Sequence, residues 1–316
     1  MPPNRKARRA AARRAPGGDG ARLALWILLG IIILAFAAAR LRPRGRAPRQ
    51  APASAPSASA PAAADRTARP APARPASPAA PAPTPTRPPE PGFRCAIIID
   101  DVGYSKAALQ AFLDLDLPLN FAVLPQLALS KWAAQTAAGA GHTVMLHLPM
   151  EPEDPSQIRF MGPGGVLTEM PDDEIEARVI EDLESLGAPA GLNNHMGSKA
   201  TADARVMKAV MRVLKDRGLF FVDSLTTGRS AAAETAREAG VPVGARDVFL
   251  DTDVDGQQGI RERILALIEQ AEREGSAIGI GHARPGTARA LGAAKDEFAR
   301  RGVRLVSAGD LVVASE

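Results

Sequence analysis

Ala96-Ile97-Ile98-Ile99-Asp100-Asp101-Val102-Gly103 is an apolar run that ends in two adjacent carboxylates. A strand of that composition is buried on both faces, as in a parallel sheet covered by helices. Its end sets two negative charges at the rim of a core, where desolvation and mutual repulsion are costly. Such a pair persists most easily if a cation neutralises it or a proton is shared. A cap on the following helix, near Ser105, accounts for one carboxylate and leaves the other over. The C-terminal end of a buried parallel strand is also where α/β folds gather their chemistry.

The chain has four histidines: His142, His147, His195 and His282. Three of them close predicted strands: Val144-Met145-Leu146-His147, Ala190-Gly191-Leu192-Asn193-Asn194-His195 and Ala277-Ile278-Gly279-Ile280-Gly281-His282. One such histidine alone reads as a hydrogen-bonded structural residue. Three of them, beside an Asp-Asp strand end, read as one shared site. Imidazole plus carboxylate is a common ligand set for zinc and similar divalent ions. His142 begins a strand and reads as structural.

Outward from these strands, short apolar runs alternate with longer amphipathic ones from Phe93 onward. Strands are expected at 95–99, 119–124, 143–146, 190–193, 219–222, 243–249, 277–280 and 304–306, and helices at 106–115, 129–138, 172–186, 202–217, 231–239, 260–274 and 288–301. Ile175, Val179, Ile180 and Leu183 show the helical spacing. Gly139, Gly187, Gly218, Gly240, Gly275 and Gly302 are each expected just past a helix. The alternation predicts a parallel sheet under helices, and the number of units suits a barrel or distorted barrel better than an open sheet. No G-x-G-x-x-G after the first strand, P-loop or G-x-S-x-G elbow is present, which removes the usual dinucleotide, nucleotide and serine-hydrolase readings. In a parallel sheet one rim would collect Asp100, Asp101, His147, Glu151, Asn193, Asn194, His195, Asp223, Ser224, Asp247, Asp251 and His282. These are the ingredients of metal-assisted hydrolysis.

The N-terminal part is of another kind. Arg5, Lys6, Arg8, Arg9, Arg13 and Arg14 crowd the start, and residues 23–39 are uncharged and apolar. Such a stretch is long enough to span a bilayer, and the basic flank favours a cytoplasmic N-terminus. Ala35-Phe36-Ala37 has the small-x-small form of a cleavage site, so a cleaved signal peptide competes with an uncleaved anchor, the preferred reading. Pro, Ala, Ser and Arg dominate the next segment, which reads as an extended tether. The expected division is a basic cytoplasmic segment at 1–22, a transmembrane anchor at 23–39, a disordered linker at 40–92 and a folded domain at 93–316. That places a single-pass protein in the inner membrane with its domain on the periplasmic side. The formal net charge of +4 comes largely from the N-terminal regions, and the domain carries no basic stripe with interleaved aromatics, so nucleic-acid binding is not expected. Cys95 is the one cysteine, which excludes an intramolecular disulfide.

In order, Ile-Ile-Ile-Asp-Asp-Val-Gly, Leu-His-Leu-Pro-Met-Glu-Pro, Asn-Asn-His-Met-Gly-Ser, Phe-Phe-Val-Asp-Ser, Arg-Asp-Val-Phe-Leu-Asp and Ile-Gly-Ile-Gly-His resemble the divergent polysaccharide deacetylase family from about Arg94 to Val312. That family is related to NodB-type carbohydrate esterases, so the resemblance implies a distorted seven-stranded (β/α) barrel. It implies that Asp100 is the base, Asp101 and His147 are metal ligands and His282 is the acid, oriented by Asp247 or Asp251. Where NodB-type enzymes have a second ligand histidine this chain has Glu151, and their Arg-x-Pro motif gives way to Asn193-Asn194-His195. His195 is the preferred third ligand and Glu151 the alternative. Asn193, Asn194, Asp223 and Ser224 are expected to contact substrate. The implied cofactor is a divalent metal, zinc first, and the implied activity is removal of N-acetyl groups from an envelope polysaccharide such as peptidoglycan. The alternative is an inactive deacetylase-like module that binds glycan or an envelope partner. The sequence names no protein partner.

Overall fold

The computed structural model describes residues 92–252 and 256–313. The segments expected as a basic N-terminus, a membrane anchor and a linker lie, up to residue 91, outside the described residues. Among the described residues no helix is long and apolar enough to cross a membrane.

The strands are β1 (Phe93–Val102), β2 (Asn120–Val123), β3 (Thr143–Met150), β4 (Gly191–Met196), β5 (Phe220–Asp223), β6 (Val243–Ala245), β7 (Val248–Phe249), β8 (Ser276–His282) and β9 (Val303–Leu305). The helices are α1 (Lys106–Leu113), α2 (Ser130–Gly139), α3 (Asp172–Leu186), α4 (Ala204–Arg217), α5 (Ala232–Ala239), α6 (Gln257–Glu274) and α7 (Pro285–Arg300). The expected boundaries shift by a few residues. The site residues expected at or just beyond the ends of β1, β3, β4 and β8 lie within them: His282 is the last residue of β8, whereas Asp100 and Asp101 precede the end of β1 at Val102, His147 that of β3 at Met150 and His195 that of β4 at Met196. α4 shows how local sequence sets an element. Asp203 caps it by accepting from the backbone N–H groups of Arg205 and Val206, Val206, Met207, Val210 and Leu214 bury one face, and Gly218 ends it at φ 66°, where a side chain would be strained.

Hydrogen bonding orders the strands β6-β5-β4-β3-β2-β1-β8-β7, with β9 beside the start of β1 and every pair parallel. The segment expected as one strand, 243–249, is split. Val243–Ala245 pairs with β5 and Val248–Phe249 pairs with β8. Between them Arg246 donates its N–H to Asp223 and Asp247 donates to Ile278. This one segment links the two edges of a curled sheet, so it must change hydrogen-bonding partner midway. Counted as one, it makes the seventh strand of a distorted (β/α) barrel.

Side chains alternate across the sheet. On β1, Cys95, Ile97 and Ile99 join the large core under the helices, whereas Ala96 and Ile98 face a smaller core inside the barrel. Met145, Phe220, Val222, Ile278 and Ile280 fill the same interior plug. Asn120 ties the plug's lower end together, donating to the carbonyls of Ile97 and Val306 and accepting from the N–H of Ala308. Gly191 gives the plug room, since a Cβ there would lie 2.6 Å from the Phe220 ring. Gly191→Ala is therefore expected to cost about 1–3 kcal/mol by overpacking, read as a lower urea midpoint at unchanged m-value. An unchanged midpoint would mean the Phe220 ring moves aside freely.

Candidate active site

Asp100, His147, Asn193, His195 and His282 continue the interior-facing rows of β1, β3, β4 and β8 above the apolar plug. Register makes neighbours of them. Asp100 lies opposite His282 and His147 opposite Asn193. Asp101 should, by simple alternation, face the helices. It does not, because β1 bulges: Ile99 pairs with Phe121, but it is Val102 that pairs with Val123, so one residue is extra on β1. Asp101 takes φ 60°, a strained value for a non-glycine residue, and its carboxylate turns to the same side as Asp100.

The result is a triangle of donors. Asp101 Oδ1 is 3.4 Å from His147 Nε2 and 3.2 Å from His195 Nδ1, and the two nitrogens are 3.2 Å apart. The contacts to Asp101 are close but poorly aligned, and both Asp101 Oδ1 and His195 Nε2 are buried without a hydrogen-bond partner. Four tetrahedral ligand atoms about 2.0–2.1 Å from a zinc ion stand about 3.3 Å from one another. The triangle matches that spacing, and one carboxylate with two imidazoles is the three-ligand set of a catalytic site that keeps a fourth position open. These residues fit a divalent cation.

The electrostatics agree. Burial alone would raise the Asp101 carboxyl, but the two imidazoles beside it outweigh that and hold it well below the usual range. Burial alone would lower the His147 imidazole, yet Asp100 and Asp101 drive it upward. Burial raises the Asp100 carboxyl, partly opposed by His147 and by the Asn193 amide. The cluster draws positive charge onto itself.

On the adjacent strand, His282 Nδ1 lies 2.7 Å from Asp251 Oδ1. Asp251 is almost fully buried, and its other oxygen accepts from the His282 backbone N–H at 3.0 Å and from the Thr287 hydroxyl. The Phe249 ring packs edge-on to the imidazole, with centroids 5.2 Å apart. Nδ1 is thereby committed and Nε2 is left to work. Burial would lower this imidazole, but the Asp251 hydrogen bond and charge raise it. Of the two carboxylates expected to orient His282, Asp251 does so. Asp247 accepts the N–H of Ile278 instead, four residues back along β8.

The remaining expected residues are placed differently. Glu151 lies outside the triangle: Lys199 Nζ binds one of its oxygens at 2.6 Å, and the N–H and hydroxyl of Thr168 bind the other at 2.6 and 2.7 Å. Asn194 is used up in the frame, accepting from the Ser224 N–H and donating to the Met196 carbonyl. Asp223 closes a turn by accepting the N–H of Leu225, and Ser224 Oγ accepts from Asn193. Asn193 touches Asp100 and His147, both at 2.8 Å. His142 is structural, edge-on to Phe121 at 5.1 Å. Sequence reasoning missed Thr287, Lys199 and Phe249. The nearest signal was their position just after, or just before, strand-end motifs.

A pocket of about 130 Å³ opens between Asp101 and His282, with an apolar wall at Val102, Ala108, Leu109 and Ala283 and polar groups at Tyr104, Ser105 and Arg284. The rim thus offers a candidate cation site, a carboxylate, an imidazole held by a carboxylate and a small recess with an apolar wall.

Known proteins resemble this chain over the same domain. The chain is 38% identical over 200 residues to the uncharacterized protein YibQ of Escherichia coli (strain K12), a match covering 63% of this chain and 61% of that protein. It is 34% identical over 218 residues to an uncharacterized protein of Haemophilus influenzae, covering 69% and 76%. The crystal structure of the uncharacterized protein ATU2773 from Agrobacterium tumefaciens C58 superposes with a TM-score of 0.65 at 28% identity, over 70% of this chain and 89% of that one. A family model for divergent polysaccharide deacetylases matches residues 97–312, which spans every strand end described above, and the chain belongs to that family.

Proposed function

We propose that this chain is a metal-dependent hydrolase that removes N-acetyl groups from an envelope polysaccharide, with peptidoglycan the first candidate. The observation that carries the reading is the register of β1 with β8, which sets Asp100 beside His282 at the edge of the Asp101, His147 and His195 triangle. A divalent ion on that triangle, zinc first, would polarise an amide carbonyl and acidify a water molecule. Asp100 accepts the proton of the attacking water. His282 Nε2 delivers a proton to the departing amine, and Asp251 keeps the imidazole turned and charged for that step. The acyl group occupies the recess beside Ala108 and Leu109, while the glycan lies across the open rim.

The apolar stretch at 23–39 anchors the chain in the cytoplasmic membrane, and the linker at 40–92 carries the domain into the periplasm. The basic residues before the stretch and the Pro-rich composition after it support this arrangement.

The full-length chain, loaded with zinc and given N-acetylglucosamine oligomers or peptidoglycan fragments, is expected to release acetate and leave free amines. Zinc bound without acetate release from any N-acetylated glycan would replace the hydrolase by the binding-module reading.

A further inference from the structure

Resting on that hydrolase reading, we infer that Asn193 is a two-ended positioning residue that aligns the metal ligand His147 and the base Asp100 through one amide group. Asn193 is fully buried at the middle of the site floor, so no water stands in for its partners. Its Nδ2 donates to Asp100 Oδ1 at 2.8 Å and to Ser224 Oγ at 3.2 Å. Its Oδ1 lies 2.8 Å from His147 Nδ1. The opposite amide orientation would set oxygen against the Asp100 carboxylate, so the network itself fixes which end is which. An amide oxygen only accepts. Nδ1 of His147 therefore carries the proton, and the Nε2 lone pair is aimed at Asp101 and His195.

No other side chain of this length does both jobs. A carboxylate accepts at both ends, so it holds His147 and faces Asp100 with an acceptor. An aliphatic group holds neither. The neighbouring Asn194 points the other way along the strand and ties β4 to the turn after β5, which explains two consecutive asparagines with separate duties.

Asn193→Asp separates the two ends. The variant keeps an acceptor for His147 Nδ1–H and loses the donor to Asp100. Its zinc dissociation constant, measured on the full chain by competition with a chromogenic chelator, is expected to stay within about 3-fold of wild type. Its kcat is expected to fall about 100-fold with KM little changed. Asn193→Leu loses both ends and is expected to weaken zinc binding about 10–100-fold as well. A general loss of structure would move both variants together and would show as a lowered thermal midpoint.

The inference is overturned if Asn193→Asp loses zinc as severely as Asn193→Leu, or if Asn193→Leu keeps the wild-type zinc affinity. Should Asn193→Asp not fold, the zinc affinity of Asn193→Leu still decides the His147 end. An inactive wild type that binds zinc would remove the hydrolase reading and the Asp100 end with it, while the chelator measurements still decide the His147 end.

Discussion

His147→Ala is expected to empty the metal site and abolish deacetylation together. One of three donor atoms disappears, and the two that remain, Asp101 Oδ1 and His195 Nδ1, make only an edge of the triangle. Zinc affinity should fall by well over 100-fold, beyond the 10–100-fold typical of outer partners. His195→Ala should behave alike. Glu151→Gln is the informative contrast. The Glu151 carboxylate is held by Lys199 and Thr168, so its loss should leave bound zinc unchanged and cost stability only. Metal content after mild chelation, measured on the three variants, decides the ligand set. A Glu151→Gln protein that loses its metal while His195→Ala retains it would replace His195 by Glu151.

His282→Ala is expected to lower kcat by about 100- to 10,000-fold, the range for a lost general acid, with zinc still bound. Asp251→Asn tests the same group through pH. The His282 imidazole is raised above its ordinary value by the Asp251 hydrogen bond and charge, against the lowering effect of burial. A raised imidazole holds its proton to higher pH than a free one and loses it as pH climbs through the raised value, which defines the alkaline limb of the rate profile. Without the Asp251 charge and hydrogen bond, the lowering effect of burial is opposed only by the charges of Asp101 and Asp100, and the pKa drops. The alkaline limb of Asp251→Asn should therefore move to lower pH, and kcat at a fixed alkaline pH should fall further than at acidic pH. A limb that stays in place would mean another group donates the proton. Asp247→Asn provides the control, since Asp247 holds the Ile278 N–H and not His282.

Much of this architecture could be read along the chain. Apolar runs of strand length, amphipathic runs between them and glycines after the helices predicted a barrel, and seven strand segments form one. The reading of 243–249 as a single strand failed at one point, because closing a curled sheet obliges that segment to bond first to β5 and then to β8. A hydrophobicity pattern is the same whichever neighbour a strand pairs with.

For the site, composition and order already singled out Asp100, Asp101, His147, His195 and His282, since charged and imidazole side chains at the ends of buried strands need a reason to be there. What each one faces was decided by tertiary structure. Adjacent residues on a regular strand point to opposite faces, and only the bulge and the φ of 60° at Asp101 bring both carboxylates to one side. The sequence could not choose between Asp247 and Asp251, both near a strand end. Distance chose Asp251, whose oxygen is 2.7 Å from His282. It could not exclude Glu151, which a lysine 48 positions later occupies, nor see that Asn193 faces inward and Asn194 outward. By itself the sequence determined which chemistry is present and at which end of the barrel it gathers, because burial and periodicity are properties of the chain. Which of these residues meet and which stay apart was decided by register, one bulge and the partners that strands far apart in sequence bring within hydrogen-bonding distance.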